Sequence, residues 1–304
     1  MDQLVNSFTD LETSDHQTVE TDNNQSAFQI LYPDEQTIPF IFASPHSGRR
    51  YSTAFIEASR LTPVMLRRSE DSFIDELFSK APNYGAPLLK ATFPRAYVDP
   101  NREPFELDPT MFEDQLPDYV NTDSVKISAG LGTVARVVIN GENIYRKKLK
   151  FSEIKRRVES SYFPYHQALQ RLIENTRIKF GFCILIDCHS MPSIGGPMDD
   201  DTGNNRVDIV LGNNHDASCA PQLLSYTSAS LKRQGLSICR NKPYSGGYTT
   251  CHYGKPDKGV HALQIEINRS LYMNETNIEK HGGFLELSDK VTRFIFDLSK
   301  FNLN

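Results

Sequence analysis

The sequence predicts an α/β fold in which helices flank one mixed, mainly parallel central sheet. Strand-like and helix-like segments alternate along the 304 residues, which is typical of such sheets. The run Phe182-Cys-Ile-Leu-Ile-Asp187 is almost entirely apolar, as expected of a strand covered on both faces. Leu263-Gln-Ile-Glu-Ile-Asn268 alternates apolar and polar residues, which indicates a strand with one face towards a polar site.

The elements follow in chain order. Residues 1–26 are predicted to be a disordered tail, because their polar composition cannot bury enough apolar surface to offset the entropy of ordering. Residues 27–304 are predicted to form one α/β domain without internal repeats. The predicted elements are strands at 38–43, 87–90, 96–98, 135–139, 182–187, 208–212 and 263–268, with helices at 69–80, 147–179 (interrupted near Pro164), 217–234 and 285–299.

Composition and charge exclude several classes of protein. With 38% hydrophobic residues and no apolar run near the roughly 20 residues that span a bilayer, membrane insertion is not expected. The first residues lack the basic segment and apolar core of a secretory signal, so a cytoplasmic location is expected. The five cysteines lack a disulfide spacing pattern and are predicted to be reduced. A net charge of -5 without a basic, aromatic patch predicts no nucleic-acid partner, and nothing indicates the oligomeric state.

Several common catalytic and nucleotide-binding motifs do not fit the chain. Gly130-Leu-Gly-Thr-Val-Ala135 has the glycine spacing of a dinucleotide site, but a strand rather than a helix is predicted to follow it. The sequence contains neither G-x-S-x-G nor H-E-x-x-H. The sequence therefore does not fit the commonest serine hydrolases or the zinc proteases whose ligands lie on a helix.

Two histidines are predicted just past the ends of apolar strands, His46 in Ser44-Pro-His-Ser-Gly48 and His189 after the run ending at Asp187. Ligands gather at the carboxyl edge of an open α/β sheet, so both imidazoles are expected in one crevice. Two imidazoles, one carboxylate and an open position are a usual ligand set for catalytic zinc. Glu70 and Asp71 are both candidate carboxylates, and residue type alone does not separate them. Each histidine alone could also be satisfied by local hydrogen bonds.

Glu266 lies in mid-strand between two isoleucines, where a carboxylate is costly to bury unless it faces a polar site. It suits the role of general base, although an exposed strand-face acid remains an alternative. Arg95 and Arg102 flank a short turn, and guanidinium groups match carboxylates and oxyanions. One could hold a substrate carboxylate while the other stabilises an oxyanion, and surface ion pairing is the alternative.

An ordered set of motifs resembles the N-formylglutamate amidohydrolases over about residues 38–280. The motifs are Ser44-Pro-His-Ser-Gly48, Arg95 through Arg102, Gly130-Leu-Gly-Thr-Val-Ala-Arg136, Ile186-Asp-Cys-His-Ser-Met-Pro192, Asp208-Ile-Val-Leu-Gly212, Pro243-Tyr-Ser-Gly-Gly247 and Gln264-Ile-Glu-Ile-Asn-Arg269. The resemblance implies a fold like that of the zinc carboxypeptidases and phosphorylase-hydrolase proteins. It also implies one zinc ion per chain, with manganese or cobalt as alternatives, and a part in histidine degradation.

The resemblance further implies roles for individual residues. Asp71 is preferred over Glu70 because it matches the family's aspartate at a helix start, and a separate carboxylate is needed because Arg49 replaces the glutamate of the carboxypeptidase H-x-x-E motif. The implied zinc ligands are His46, Asp71 and His189; Glu266 is the implied general base, Arg95 the oxyanion stabiliser, and Asn101 with Arg102 the carboxylate clamp. Arg136 matches a family position near the substrate. Residues 244–254 resemble a family loop that could close over substrate, with Tyr244, Tyr248 and His252 as candidate contacts, and an ordinary surface loop is the alternative.

The predicted activity is therefore zinc-dependent hydrolysis of the N-acyl amide of a small acidic amino acid, above all N-formyl-L-glutamate. One alternative is a zinc peptidase or amidase that acts on other N-acyl amino acids or on peptides. A second alternative is an inactive binding protein of the same fold. Such a protein should have lost a ligand or the base, and no such loss is visible in the sequence.

Overall fold

The computed structural model describes residues 26–138, 141–197 and 199–303. The strands are β1 (Phe28–Leu31), β2 (Phe40–Ser44), β3 (Leu88–Ala91), β4 (Cys183–Met191), β5 (Ile209–Gly212), β6 (Ile238–Arg240), β7 (Val260–Asn268), β8 (Met273–Asn274) and β9 (Glu279–Lys280). The helices are α1 (Thr53–Ala58), α2 (Pro63–Arg67), α3 (Ile74–Leu77), α4 (Val125–Ser128), α5 (Phe151–Arg157), α6 (Phe163–Phe180), α7 (Pro221–Arg233), α8 (Tyr248–Tyr253) and α9 (Gly283–Leu298). Short 3-10 turns cover Ala81–Tyr84, Pro109–Met111, Pro256–Lys258 and Arg269–Leu271.

The central sheet has seven strands in the order β1-β3-β2-β4-β7-β5-β6. Strands β3, β2, β4 and β7 run parallel to one another, as β5 does to β6. The pairs β1 with β3 and β5 with β7 are antiparallel. The prediction of a mixed, mainly parallel sheet is therefore confirmed.

Both faces of the sheet are covered. Successive residues of β2 point to opposite faces and pack into two different apolar cores. Ile41 and Ala43 pack into the apolar core beneath the helix α5–α6, whereas Phe40 and Phe42 pack into the core beneath α7 and α9. All residues of β2, β4, β5 and β7 are buried. This explains the apolar runs in the sequence. No helix in the described part of the chain is long and apolar enough to cross a lipid bilayer.

Three local predictions were wrong. The predicted helix at 69–80 is reduced to the single turn α3, because the backbone groups of Asp71 bond to the turn after β2 instead. The Asp71 amide donates to the His46 carbonyl at 3.0 Å, and its carbonyl accepts from Ser47 Oγ at 3.0 Å. Residues 96–98 form a turn rather than a strand, and residues 135–138 form only an isolated bridge at Val137. The rest of the predicted strand at 135–139 lies outside the described residues.

The long helix predicted at 147–179 forms over 151–180. A π-helical turn, Val158–Tyr162, ends two residues before Pro164, near the predicted interruption. Pro164 has no amide hydrogen to donate to the preceding turn, and the π-helical turn there accommodates the proline without breaking the helix. Of the predicted tail, residues 1–25 lie outside the described residues.

Candidate active site

A cavity of about 510 Å³ opens at the carboxyl edge of the parallel strands β2, β4 and β7. His46 lies two residues beyond the end of β2. The strand β4 continues to Met191, so His189 lies inside the strand and not beyond its end as predicted. Glu266 of β7 is the register partner of His189. The carboxyl ends of three adjacent parallel strands thus bring these side chains to one wall of the cavity.

Three buried donor atoms meet at this wall. Asp71 Oδ2 lies 3.2 Å from His46 Nδ1 and 3.0 Å from His189 Nδ1, and the two Nδ1 atoms are 3.2 Å apart. Tetrahedral zinc with nitrogen and oxygen ligands at about 2.0–2.1 Å places neighbouring ligand atoms roughly 3.3 Å apart. His46, Asp71 and His189 therefore form a group that could hold a metal ion.

The second nitrogen of each imidazole faces a buried carboxylate. His46 Nε2 lies 2.7 Å from Asp99 Oδ1, and His189 Nε2 lies 3.0 Å from Asp187 Oδ2. At His46 the hydrogen bond to Asp99 favours the proton on Nε2 and leaves the Nδ1 lone pair free to bind a cation. The Asp187 carboxylate acts on His189 mainly through its negative charge. Metal-binding histidines commonly have such carboxylate partners, which fix the ring and raise its basicity.

The electrostatics of the group also favour a cation. Burial by itself would raise the pKa of Asp71, but the bonds to His189 and His46 hold it well below its ordinary value. Burial would lower the pKa of His189, but Asp187 and Asp71 raise it well above its ordinary value. A positive charge between these groups is thus stabilised although all of them are buried.

The structure separates the two candidate carboxylates. Arg269 Nη2 donates to Asp71 Oδ1 at 3.0 Å, which leaves Oδ2 directed at the histidines. The Glu70 carboxylate instead accepts hydrogen bonds from Tyr51 at 2.8 Å, Ser72 at 2.7 Å and Arg67 at 3.2 Å. Of the two acids, only Asp71 joins the histidines.

Glu266 combines burial with a perturbed acidity. Burial raises its pKa to about 7, against the opposing effect of His189. Gln264 Nε2 donates to Glu266 Oε1 at 2.8 Å, so one carboxylate oxygen is held in place. A carboxylate with a pKa near neutrality that lines the cavity is suited to accept and return a proton.

The two predicted arginines line the same cavity but have different partners. Arg95 Nη2 donates to Asp99 Oδ2 at 2.8 Å, so Arg95 and His46 share one carboxylate. Within the described residues the Arg102 side chain donates only to carbonyl oxygens, of Leu131 at 2.9 Å and of Asn101 at 3.0 Å. The positive charge of Arg102 therefore faces the cavity without a carboxylate partner among the described residues.

Asn101 lines the cavity, but its side-chain amide contacts protein groups. Its Oδ1 accepts from the Thr249 amide at 2.8 Å, and its Nδ2 lies 3.3 Å from His189 Nε2. Arg136 also lines the cavity, while its Nε donates to Asp108 at 2.9 Å. The side-chain oxygen of Asn101 is thus already bonded to the protein, while the residue lines the cavity next to Arg102.

The segment 244–254 is folded rather than an open loop. Tyr244 lines the cavity, and its hydroxyl accepts from Arg206 at 3.0 Å. Tyr248 and His252 are not among the cavity-lining residues; their rings stack on one another in α8, with centroids 4.8 Å apart. The Gly247 amide donates to Gln264 Oε1 at 2.7 Å, which ties the start of this helix to β7.

Sequence reasoning missed three residues that contact the proposed ligands His46, Asp71 and His189. They are Asp99, Asp187 and Arg269. The alternation of strand side chains could have found Asp187, because it lies two residues before His189 and on the same face of β4. Asp99 lies in the Arg95 to Arg102 segment, but no periodicity links it to His46. Its contact with His46 depends on the turn at 95–98 that was predicted to be a strand.

Comparisons of the sequence and of the fold with known proteins all point to one family. The sequence profile of the N-formylglutamate amidohydrolase family matches residues 38–273. An N-formylglutamate deformylase of Pseudomonas putida is 31% identical over 255 residues, covering 82% of this chain and 86% of that protein. One of Pseudomonas aeruginosa is 29% identical over 250 residues, covering 81% and 86%. The structure of an N-formylglutamate amidohydrolase from Ralstonia eutropha superposes with a TM-score of 0.83 at 32% identity, covering 91% of this chain and 98% of that one.

Proposed function

Because the chain belongs to the N-formylglutamate amidohydrolase family, we propose that it hydrolyses N-formyl-L-glutamate to formate and L-glutamate with one zinc ion. The observation that carries the proposal is the triangle of Nδ1, Nδ1 and Oδ2 atoms, 3.0–3.2 Å apart, beside Glu266 in one cavity. We propose His46, Asp71 and His189 as the zinc ligands. We also propose that residues 27–304 form one catalytic domain, since His46, His189 and Glu266 lie on or just after adjacent strands of one seven-stranded sheet.

A divalent ion held by these three residues would polarise the formyl carbonyl and acidify the attacking water. Glu266 accepts the proton of that water as the oxygen bonds to the formyl carbon. It then returns the proton to the glutamate nitrogen as the C–N bond breaks, so formate and the free amine leave. Its pKa of about 7 suits both transfers near neutral pH.

The cationic groups have separate tasks in this scheme. The Arg95 guanidinium is fixed by Asp99, and its remaining N–H groups can stabilise the oxyanion that develops on the formyl oxygen. Arg102 binds a substrate carboxylate, because its charge has no carboxylate partner of its own in the described chain. Asn101 keeps the start of α8 in position by accepting a hydrogen bond from the Thr249 amide.

The proposal is tested by formate release from N-formyl-L-glutamate by purified protein, with and without a chelator, together with elemental analysis. We expect chelator-sensitive release and about one zinc ion per chain. Bound zinc without formate release would favour another N-acyl amino acid or a peptide as substrate. Neither metal nor activity would favour the inactive binding protein.

A further inference from the structure

Among the described residues, more cationic than acidic side chains line the cavity, since the acids there are Asp71, Asp99, Asp199 and Glu266. Five cationic side chains line it: Arg95, Arg102, Lys126, Arg136 and Arg269. Three of them form ion pairs, Arg95 with Asp99, Arg136 with Asp108 and Arg269 with Asp71, at 2.8–3.0 Å. Within residues 26–138, 141–197 and 199–303, no carboxylate oxygen lies within the ion-pairing distance of 4.0 Å from a side-chain nitrogen of Arg102 or Lys126.

These two unpaired cations lie on neighbouring parts of the cavity wall. The Arg102 side chain bonds to the Leu131 carbonyl, and Lys126 belongs to the short helix α4 that leads to Leu131. Ser124 caps that helix by accepting from the Ile127 amide at 3.0 Å, which fixes the backbone that carries Lys126. Lys126 is exposed overall, but partial burial of its ammonium group and the positive charge of Arg102 lower its pKa, against the opposing charge of Glu106. Two cations of like charge on neighbouring parts of a cavity wall favour an anion beside them.

The substrate proposed above has two carboxylates, one on Cα and one at the end of the side chain. We infer that Lys126 binds the side-chain carboxylate, while Arg102 binds the other, and that Lys126 makes the site selective for N-acyl derivatives of dicarboxylic amino acids. The inference rests on the proposed function, since it assigns a second recognition group to the same reaction. A lysine ammonium on a flexible stem is a point charge that can follow a mobile carboxylate.

The test compares two substrates of nearly equal size, N-formyl-L-glutamate and N-formyl-L-glutamine, which keeps the α-carboxylate but has an uncharged side-chain amide. Lys126→Met removes the charge but keeps a long side chain, and Lys126→Arg keeps the charge. Lys232→Met is the matched control, because Lys232 is exposed on α7 and does not line the cavity. A charge-assisted hydrogen bond corresponds to a roughly ten- to hundredfold change in an equilibrium.

We expect Lys126→Met to lower kcat/KM for N-formyl-L-glutamate by roughly ten- to hundredfold, mainly through KM, and to change it less than about threefold for N-formyl-L-glutamine. Lys126→Arg should restore most of the preference, and Lys232→Met should behave like the unaltered protein. Equal losses for both substrates, or no loss for either, would overturn the assignment of Lys126 while leaving the proposed function intact.

A second measurement keeps the two proposals distinguishable. If the unaltered, metal-loaded protein releases formate from neither substrate, the proposed function fails. Calorimetric titration with the same two compounds then decides the role of Lys126. Tighter binding of N-formyl-L-glutamate that is lost in Lys126→Met supports the recognition role, and equal binding of both compounds refutes it.

Discussion

Replacing Asp99 with asparagine tests how the buried carboxylates support the metal centre. The change keeps the shape of the side chain but removes the charge that His46 Nε2 and Arg95 Nη2 share at 2.7 and 2.8 Å. The pKa of Asp99 is held well below its ordinary value, against its burial, by Arg95 and His46, so the carboxylate is charged at neutral pH. Asparagine presents one oxygen and one NH2 group, and therefore cannot accept from both partners.

The magnitude follows from these contacts. Each charge-assisted bond contributes about 1.5–3 kcal/mol, and the substitution loses one and weakens the other. Only the part that acts through His46 changes metal binding, and removing such a partner typically weakens metal affinity about 10- to 100-fold. We therefore expect the zinc dissociation constant of Asp99→Asn to rise by that factor, which corresponds to about 1.4–2.8 kcal/mol.

The assay is a competitive zinc titration against a chromogenic chelator at neutral pH. Asp257→Asn is the control, because Asp257 is exposed in the turn Pro256–Lys258, away from the cavity. Thermal unfolding of both metal-free variants separates a weaker site from a damaged fold. A dissociation constant equal to that of the unaltered protein, with a normal fold, would refute the view that Asp99 supports metal binding through His46.

Three further predictions concern other residues that line the cavity. Glu266→Gln should retain metal but lose most turnover. Burial raises the Glu266 pKa from 4.5 to about 7, so ionising this carboxylate destabilises the folded protein. The metal-free variant should therefore be more stable than the unaltered protein by up to about 3 kcal/mol above pH 7, and equally stable below pH 4.5. Arg102→Ala should raise KM for N-formyl-L-glutamate at least about tenfold, with a smaller effect on kcat. Gly247→Ala should lower kcat/KM at least about tenfold, because its Cβ would lie 2.3 Å from Asn101 Nδ2.

Each of these predictions has a contrary outcome. Because the folded-state pKa of Glu266 is raised, the unaltered protein loses stability as the pH rises through 7 and the buried carboxylate ionises, whereas the Gln variant does not. Urea unfolding of both metal-free proteins measures this difference. The same difference in unfolding free energy at pH 4 and at pH 8 would contradict the prediction. An unchanged KM would remove Arg102 from substrate binding. Gly282→Ala is the control for Gly247→Ala, since nothing lies within 4 Å of its added Cβ, and equal kinetics of the two variants would show that Asn101 tolerates displacement.

The sequence by itself determined the sheet and three of the groups around the cavity. Buried strands such as β4 and β7 are recognisable because covering both faces requires apolar residues along nearly the whole strand. The polar residues that interrupt or follow those runs, Glu266 and His189, could therefore be assigned to a polar site from the amino-acid pattern alone. His46 was predicted in the same way, as a residue that follows an apolar strand.

Tertiary structure alone decided which acids surround those groups. Asp71 and Glu70 are neighbours of similar chemistry, and their roles differ because the backbone of Asp71 bonds to the His46–Ser47 turn. The same bonds shorten the predicted helix, which begins only after Phe73 has taken a left-handed φ of 68°. Asp99 contacts His46 across 53 positions of the chain. Local periodicity holds no information on such contacts, because they are fixed by the packing of distant segments at one edge of the sheet.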